Sequence, residues 1–170
     1  MRIFNALLAS FIFLYFTSAC STMVEDGFQS NQEVLVESIP SESDIYMNGD
    51  FIGKTPMTLT LPSDISHEIY FEKEGFKPTK EYLDPIYKEG KQPYVQFGFA
   101  KDLGYYYQLS RDHVIAELYW EQLPSTAGIM PFDSMSDLIT KADNAMSSGD
   151  LSLDEHKIII RQIIEMFNSK

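Results

Sequence analysis

Apolar and polar positions alternate through residues 34–82 and are cut at short intervals by turn residues. A period of two punctuated this way marks a small all-β unit. Val34, Val36 and Ser38 alternate with Leu35, Glu37 and Ile39, predicting a strand. Pro40 ends it, because proline cannot donate to a sheet ladder. Residues 41–44 are small or acidic and favour a turn. Residues 45–47 predict a second strand and Phe51-Ile52 a third. Between them Asn48-Gly49 predicts a tight hairpin, since both residues tolerate positive φ. Gly53 is expected to break the pattern, and Thr55-Pro56 to force extended backbone. Met57, Leu59 and Leu61, set against Thr58 and Thr60, predict a fourth strand. After a turn at 62–64, residues 67–71 predict a fifth, with Ile69 and Phe71 on one face. Residues 72–75 turn the chain, and Phe76 and Tyr82 flank the last edge.

Several of these residues fall in register with a known pattern: Ser38, Pro40, Tyr46, Asn48-Gly49, Gly53, Thr55-Pro56 and Gly75-Phe76. The stretch resembles the PEGA domain. Where that family carries a Gly-Ala pair this chain has Ser43-Asp44, which implies a turn without positive φ at Ser43 and a more exposed first hairpin. The resemblance implies a small β-sandwich of surface or envelope proteins, without catalysis of its own.

The C-terminal pattern changes period. After a loop over 124–132, Met135, Leu138, Ile139, Ala142 and Met146 recur at helical spacing. Asp133 or Ser134 caps the start and Gly149 follows the end. Ser152-Leu153-Asp154-Glu155 is a capping box for a second helix, whose apolar residues are Ile158, Ile159, Ile160, Ile163, Ile164, Met166 and Phe167. So wide a stripe calls for packing on the first helix and on the β-domain, or on a partner chain. The expected fold is therefore α+β: a PEGA-like antiparallel β-sandwich over 34–82, an aromatic-rich extension over 83–123, and a helical hairpin over 124–170.

Within the extension, residues 110–123 favour a helix, with Ser110 as cap and Val114, Ile115, Leu118 and Tyr119 on one face. The alternative is a strand over 115–120 that pairs against the sandwich. Tyr94, Phe97, Phe99, Tyr105, Tyr106 and Tyr107 form an aromatic cluster. It either covers the sandwich or offers an interaction surface. Asp102, Gly104, Tyr107, Leu109, Asp112, Val114 and Leu118 also resemble the continuation found in some PEGA-type lipoproteins, although the glycine-rich apolar run before it is shorter here.

The N-terminus reads as a leader. Arg2 is followed by an apolar run over 3–16 and by the small residues Thr17, Ser18 and Ala19, the build of a signal peptide over 1–19. The chain's one cysteine, Cys20, comes next. Thr-Ser-Ala-Cys resembles the lipobox of bacterial lipoproteins, which implies fatty acylation of Cys20, palmitate included, and a lipid bilayer as partner. Ser21 in place of aspartate implies the periplasmic face of the outer membrane. Residues 20–33 then read as a lipidated start and a polar tether.

The formal charge is −12, and −13 without a leader whose one charge is Arg2. With no basic stripe, nucleic acid is excluded as a partner. A single cysteine excludes an internal disulfide framework. His67, His113 and His156 lie in no metal-ligand spacing. Residues 144–155 place Gly149 and Glu155 as an EF-hand would, but Asn144 and Met146 stand where acidic ligands belong, so a structural hairpin is favoured over calcium. Asp154-Glu155 reads as helix-start charge. No nucleophile or phosphate-loop motif is present. The expectation is a non-enzymatic envelope module without cofactor or metal, docking another envelope protein or a cell-wall polymer. The alternative is a carbohydrate-binding module using the aromatics of 94–107.

Overall fold

The computed structural model describes residues 30–89, 105–124 and 132–168. Among them are β1 (Asn31–Ile39), β2 (Asp44–Met47), β3 (Asp50–Lys54), β4 (Met57–Pro62), β5 (His67–Glu72), β6 (Thr79–Leu83), β7 (Pro85–Tyr87), β8 (Tyr107–Leu109), β9 (His113–Glu117), α1 (Phe132–Ser148) and α2 (Leu153–Asn168). Two layers make the sandwich. One is ordered β4-β1-β9, with β1 antiparallel to β4 and parallel to β9. The other is ordered β3-β2-β5-β6 and is antiparallel throughout. β7 and β8 form a separate two-stranded ribbon.

The alternation read from sequence decides which side chains meet between the layers. Val34 and Val36 of β1 and Val114 and Ala116 of β9 are fully buried, as are Ile45, Ile69, Phe71 and Leu83 of the facing sheet. Each large side chain removed from water contributes about 1.5–3 kcal/mol. At the Asn48-Gly49 turn both residues take positive φ, 54° and 88°. The turn therefore matches the twist of the strands it joins.

Four expectations change. Residues 110–123 are not a helix. Val114, Ala116, Leu118 and Trp120 are buried while Ile115 and Tyr119 are half-exposed, a period of two. The strand forms because β1 offers an open parallel edge. Leu35 N donates to Asp112 O at 2.8 Å, and Leu118 N to Ile39 O at 2.9 Å. Residues 31–33, expected in the tether, begin β1. Gly53 lies inside β3, where the register with β2 shifts between Ile45 and Tyr46. The extra residue is Ile52, a β-bulge. Finally, the first turn is exposed only in its first half, at Ser41 and Glu42. Ser43 is fully buried, Asp44 is half-buried against Lys54, and the left-handed residue is Glu42 at φ 61°.

A hydroxyl network ties this turn to the start of β4. Ser38 and Ser43 both donate to the Pro40 carbonyl, at 2.5 and 3.0 Å. Thr55 Oγ1 lies 2.6 Å from Ser38 Oγ and accepts the Ser43 N–H at 3.0 Å. All three hydroxyl residues are buried, so their polar atoms must be satisfied inside the protein.

The sandwich has two unlike ends. Near the start of β5, Ser63 N donates to Ser30 O at 2.7 Å and Ser63 Oγ to Tyr107 O at 3.1 Å. The first described residue and the β7-β8 ribbon therefore share one end. Past the finish of β5 sit Lys73, Gly75 and the Phe76–Trp120 bridge, and here the helical hairpin docks. Gly149, at φ 89°, closes α1 with Gly149 N donating to Met146 O and Asp150 N to Ala145 O, a Schellman motif. The capping box opens α2: Glu155 N donates to Ser152 Oγ and Ser152 N donates to Glu155 Oε2. Ile159 and Ile163 of α2 and Leu138 and Ala142 of α1 join the core. Ile164 stays exposed. Between Ile159 and Ile163, Gln162 is buried and acts as a surrogate strand. Its Nε2 donates to Leu118 O at 2.9 Å and its Oε1 accepts Trp120 N–H at 3.1 Å.

Candidate functional site: an aromatic row on the outer sheet

The strand periodicity that buries Ile45, Ile69, Phe71 and Leu83 sends their neighbours to the opposite face of β3-β2-β5-β6. Register then aligns those neighbours across all four strands. Phe51 lies opposite Tyr46, Tyr46 opposite Tyr70, and Tyr70 opposite Lys80. Tyr46 meets Phe51 edge-on at 5.6 Å and 65°, and Tyr70 at 6.1 Å and 63°. Phe51, at the open edge, is 56% exposed.

Charged rows flank the rings. On one side Lys54 pairs with Asp44 at 2.5 Å, and Glu72 lies across from Asp44. On the other, Glu68 accepts from Lys80 at 2.6 Å and from Tyr82 at 2.9 Å. The Lys80 hydrogen bond first, and the Tyr82 one second, hold the Glu68 carboxyl below its ordinary range. The same contacts raise Lys80 and Tyr82. Tyr46, Asn48, Gly49, Glu68, Tyr70, Glu72 and Lys80 line an open groove. It holds amphipathic ring edges and fixed charges but no nucleophile with a neighbouring base.

The sequence-predicted site residues are distributed otherwise. Cys20, Tyr94, Phe97 and Phe99 lie outside the described residues. Tyr105 and Tyr106 precede β8 and Tyr107 begins it, at the far end from the hairpin. Tyr107 packs on Tyr87, rings tilted by 31° at 4.8 Å, and donates to its hydroxyl at 3.2 Å. That hydrogen bond raises the Tyr107 phenol. The histidines do not converge. His67 Nε2 lies 2.7 Å from Pro62 O, His113 2.6 Å from Glu37, and His156 2.8 Å from Asp143. Residues 144–148 are helical, so the twelve-residue loop a calcium site needs is absent there. Among the described residues, no three histidine, cysteine, aspartate or glutamate side chains gather closely enough to hold a metal ion.

The family model of the PEGA domain matches residues 31–89. This chain carries a PEGA domain. Its limits take in β1 to β7, so the aromatic row lies wholly within the PEGA domain, while β8, β9 and the helical hairpin lie outside the matched residues. No curated protein and no solved structure matches the chain.

The aromatic row is the part of the site that reading the sequence missed. Its signal was present for Tyr46, Tyr70 and Tyr82 in the alternation Ile45-Tyr46, Ile69-Tyr70 and Tyr82-Leu83, which puts these three rings on the face away from the core.

Proposed function

We propose that this protein is a non-catalytic lipoprotein of the bacterial envelope, anchored through acylated Cys20, whose PEGA domain docks another envelope protein on its aromatic row. The observation that carries the docking is the in-register row Phe51–Tyr46–Tyr70–Lys80 on a face whose other side is the core, with Phe51 and Lys80 exposed and Tyr46 and Tyr70 half-buried between them. Ring contacts of this kind supply the amphipathic anchors that protein interfaces favour. Glu72 has no cation within ion-pair distance among the described residues, which favours a partner with a basic residue beside its apolar ones.

Glycan binding at this row fits less well; the platform expected from the aromatics of 94–107 lies largely outside the described residues. Sugar stacking wants a flat platform, and neighbouring rings inclined at 63–65° do not present one. Support for the anchor comes from the single cysteine directly after a leader-like segment. The test is photo-crosslinking in the native cell from position 51 of the full chain. A discrete protein adduct that disappears with Tyr46→Ala and Tyr70→Ala is expected. A glycan adduct, or none, contradicts the docking. For the anchor, Cys20→Ser should move the protein out of the membrane fraction, and unchanged partitioning contradicts it.

A further inference from the structure

From the end of the sandwich opposite the helical hairpin, we infer a second contact: the β7-β8 ribbon and the 63–66 turn rest against the headgroup region of the bilayer. The inference deepens the anchoring reading and depends on it. Ile65, Ile86, Tyr87 and Tyr105 are each between 41% and 51% exposed and gather at this one end. The turn lies against the ribbon, the Ser63 hydroxyl sitting 2.7 Å from Ser30 O and 3.1 Å from Tyr107 O, and Lys88 N donates to Tyr106 O at 2.9 Å. Tyrosines beside aliphatic side chains, with hydroxyls directed at water, are the residues that settle at a membrane interface.

The position of the chain selects the occupant. Ser30, bonded to Ser63, is at this same end, ten residues after Cys20. Ten residues span at most about 33–36 Å. A link of that length keeps the end at roughly millimolar effective concentration against the bilayer, so a weak contact suffices. The nearby charges are one cation, Lys88, bonded to Ser30 at 3.4 Å, and three acids, Asp64 in the turn itself and the exposed Asp84 and Glu89, so apolar and aromatic insertion and not attraction to anionic lipid drives the contact. The aromatic row and the hairpin are then held away from the lipid, free for a partner.

Because Cys20 is the one thiol, the mature full chain can be coupled through it to a maleimide-headgroup lipid in phosphatidylcholine vesicles. This makes the result independent of whether cells acylate the residue. With p-benzoylphenylalanine at position 65, 86 or 51, lipid adducts are expected from 65 and 86 and not from 51. The paired substitutions Ile86→Asp and Tyr87→Asp, both on exposed positions, should lower the adduct from 65 by about tenfold while coupling is unchanged. Equal adducts from all three positions, none from 65 and 86, an unaffected double variant, or a yield that requires anionic lipid would each overturn the inference. Failure of the anchoring reading has a separate signature: an unmodified Cys20 in the intact mass of the protein recovered from cells.

Discussion

Replacing Gln162 with leucine tests how the helical hairpin is attached to the PEGA domain. The side chain is 2% exposed and satisfies two backbone groups beyond β9, the Leu118 carbonyl and the Trp120 amide. Leucine has similar volume but leaves both groups buried without partners, at about 1–3 kcal/mol each. Fully burying a leucine returns about 1.5–3 kcal/mol. The midpoints of these terms, about 4 kcal/mol lost against about 2 returned, give an expected net loss of about 2 kcal/mol. In urea, with a slope of about 1–3 kcal/mol per molar, the midpoint should fall by roughly 1 M. Trp120 is the single tryptophan and is buried at the contact, so its fluorescence reports the transition. Gln162→Glu supplies an internal check. The carboxylate can accept from Trp120 but is repelled by the Leu118 carbonyl, whereas the protonated acid can replace the amide's donor. Burial raises that carboxyl's pKa, so the variant should be least stable near neutrality and recover as pH falls. A leucine variant as stable as the parent, or a glutamate variant without pH dependence, would refute the surrogate-strand reasoning.

Glu42 is an exposed, non-glycine residue in the left-handed region, so Glu42→Gly should stabilise by about 0.5–1 kcal/mol, read as a higher melting temperature. Thr55→Val keeps the shape but deprives the buried Ser43 amide and Ser38 hydroxyl of a partner, and should cost about 1–3 kcal/mol in chemical denaturation. Burial pushes the Glu155 carboxyl up, but hydrogen bonds from the Ser152 hydroxyl and amide and from Lys73 outweigh it, and the net shift is downward. Its stabilising contribution is therefore complete above the unfolded value of about 4.3 and is lost as pH falls through the lower folded value. Hydrogen exchange should show the start of α2 loosening in that acidic window, and Glu155→Gln should remove the dependence.

The features visible in sequence were those set by local chemistry. Asn48-Gly49 turns the chain because those two residues accept positive φ, and the Ser152–Glu155 box starts α2 because its atoms satisfy one another's backbone groups. β9 was obscured because Val-Ile-Ala-Glu-Leu-Tyr-Trp satisfies a helical and a strand period at once. What decides is the open edge of β1, distant in the chain. Gln162 looked like a polar gap in an isoleucine stripe, and its role follows only from where β9 ends. The aromatic row required a register shift at Ile52 to bring Phe51 opposite Tyr46, and the period alone does not fix such a bulge.

Parallel photo-crosslinking from positions 51 and 86 of the full chain in its native cell addresses the central claim most directly, since one lies on the face proposed to dock a partner and the other at the end proposed to meet lipid. A protein adduct from 51 together with a lipid adduct from 86 is the predicted result. Lipid from 51, or no protein captured there, would contradict it.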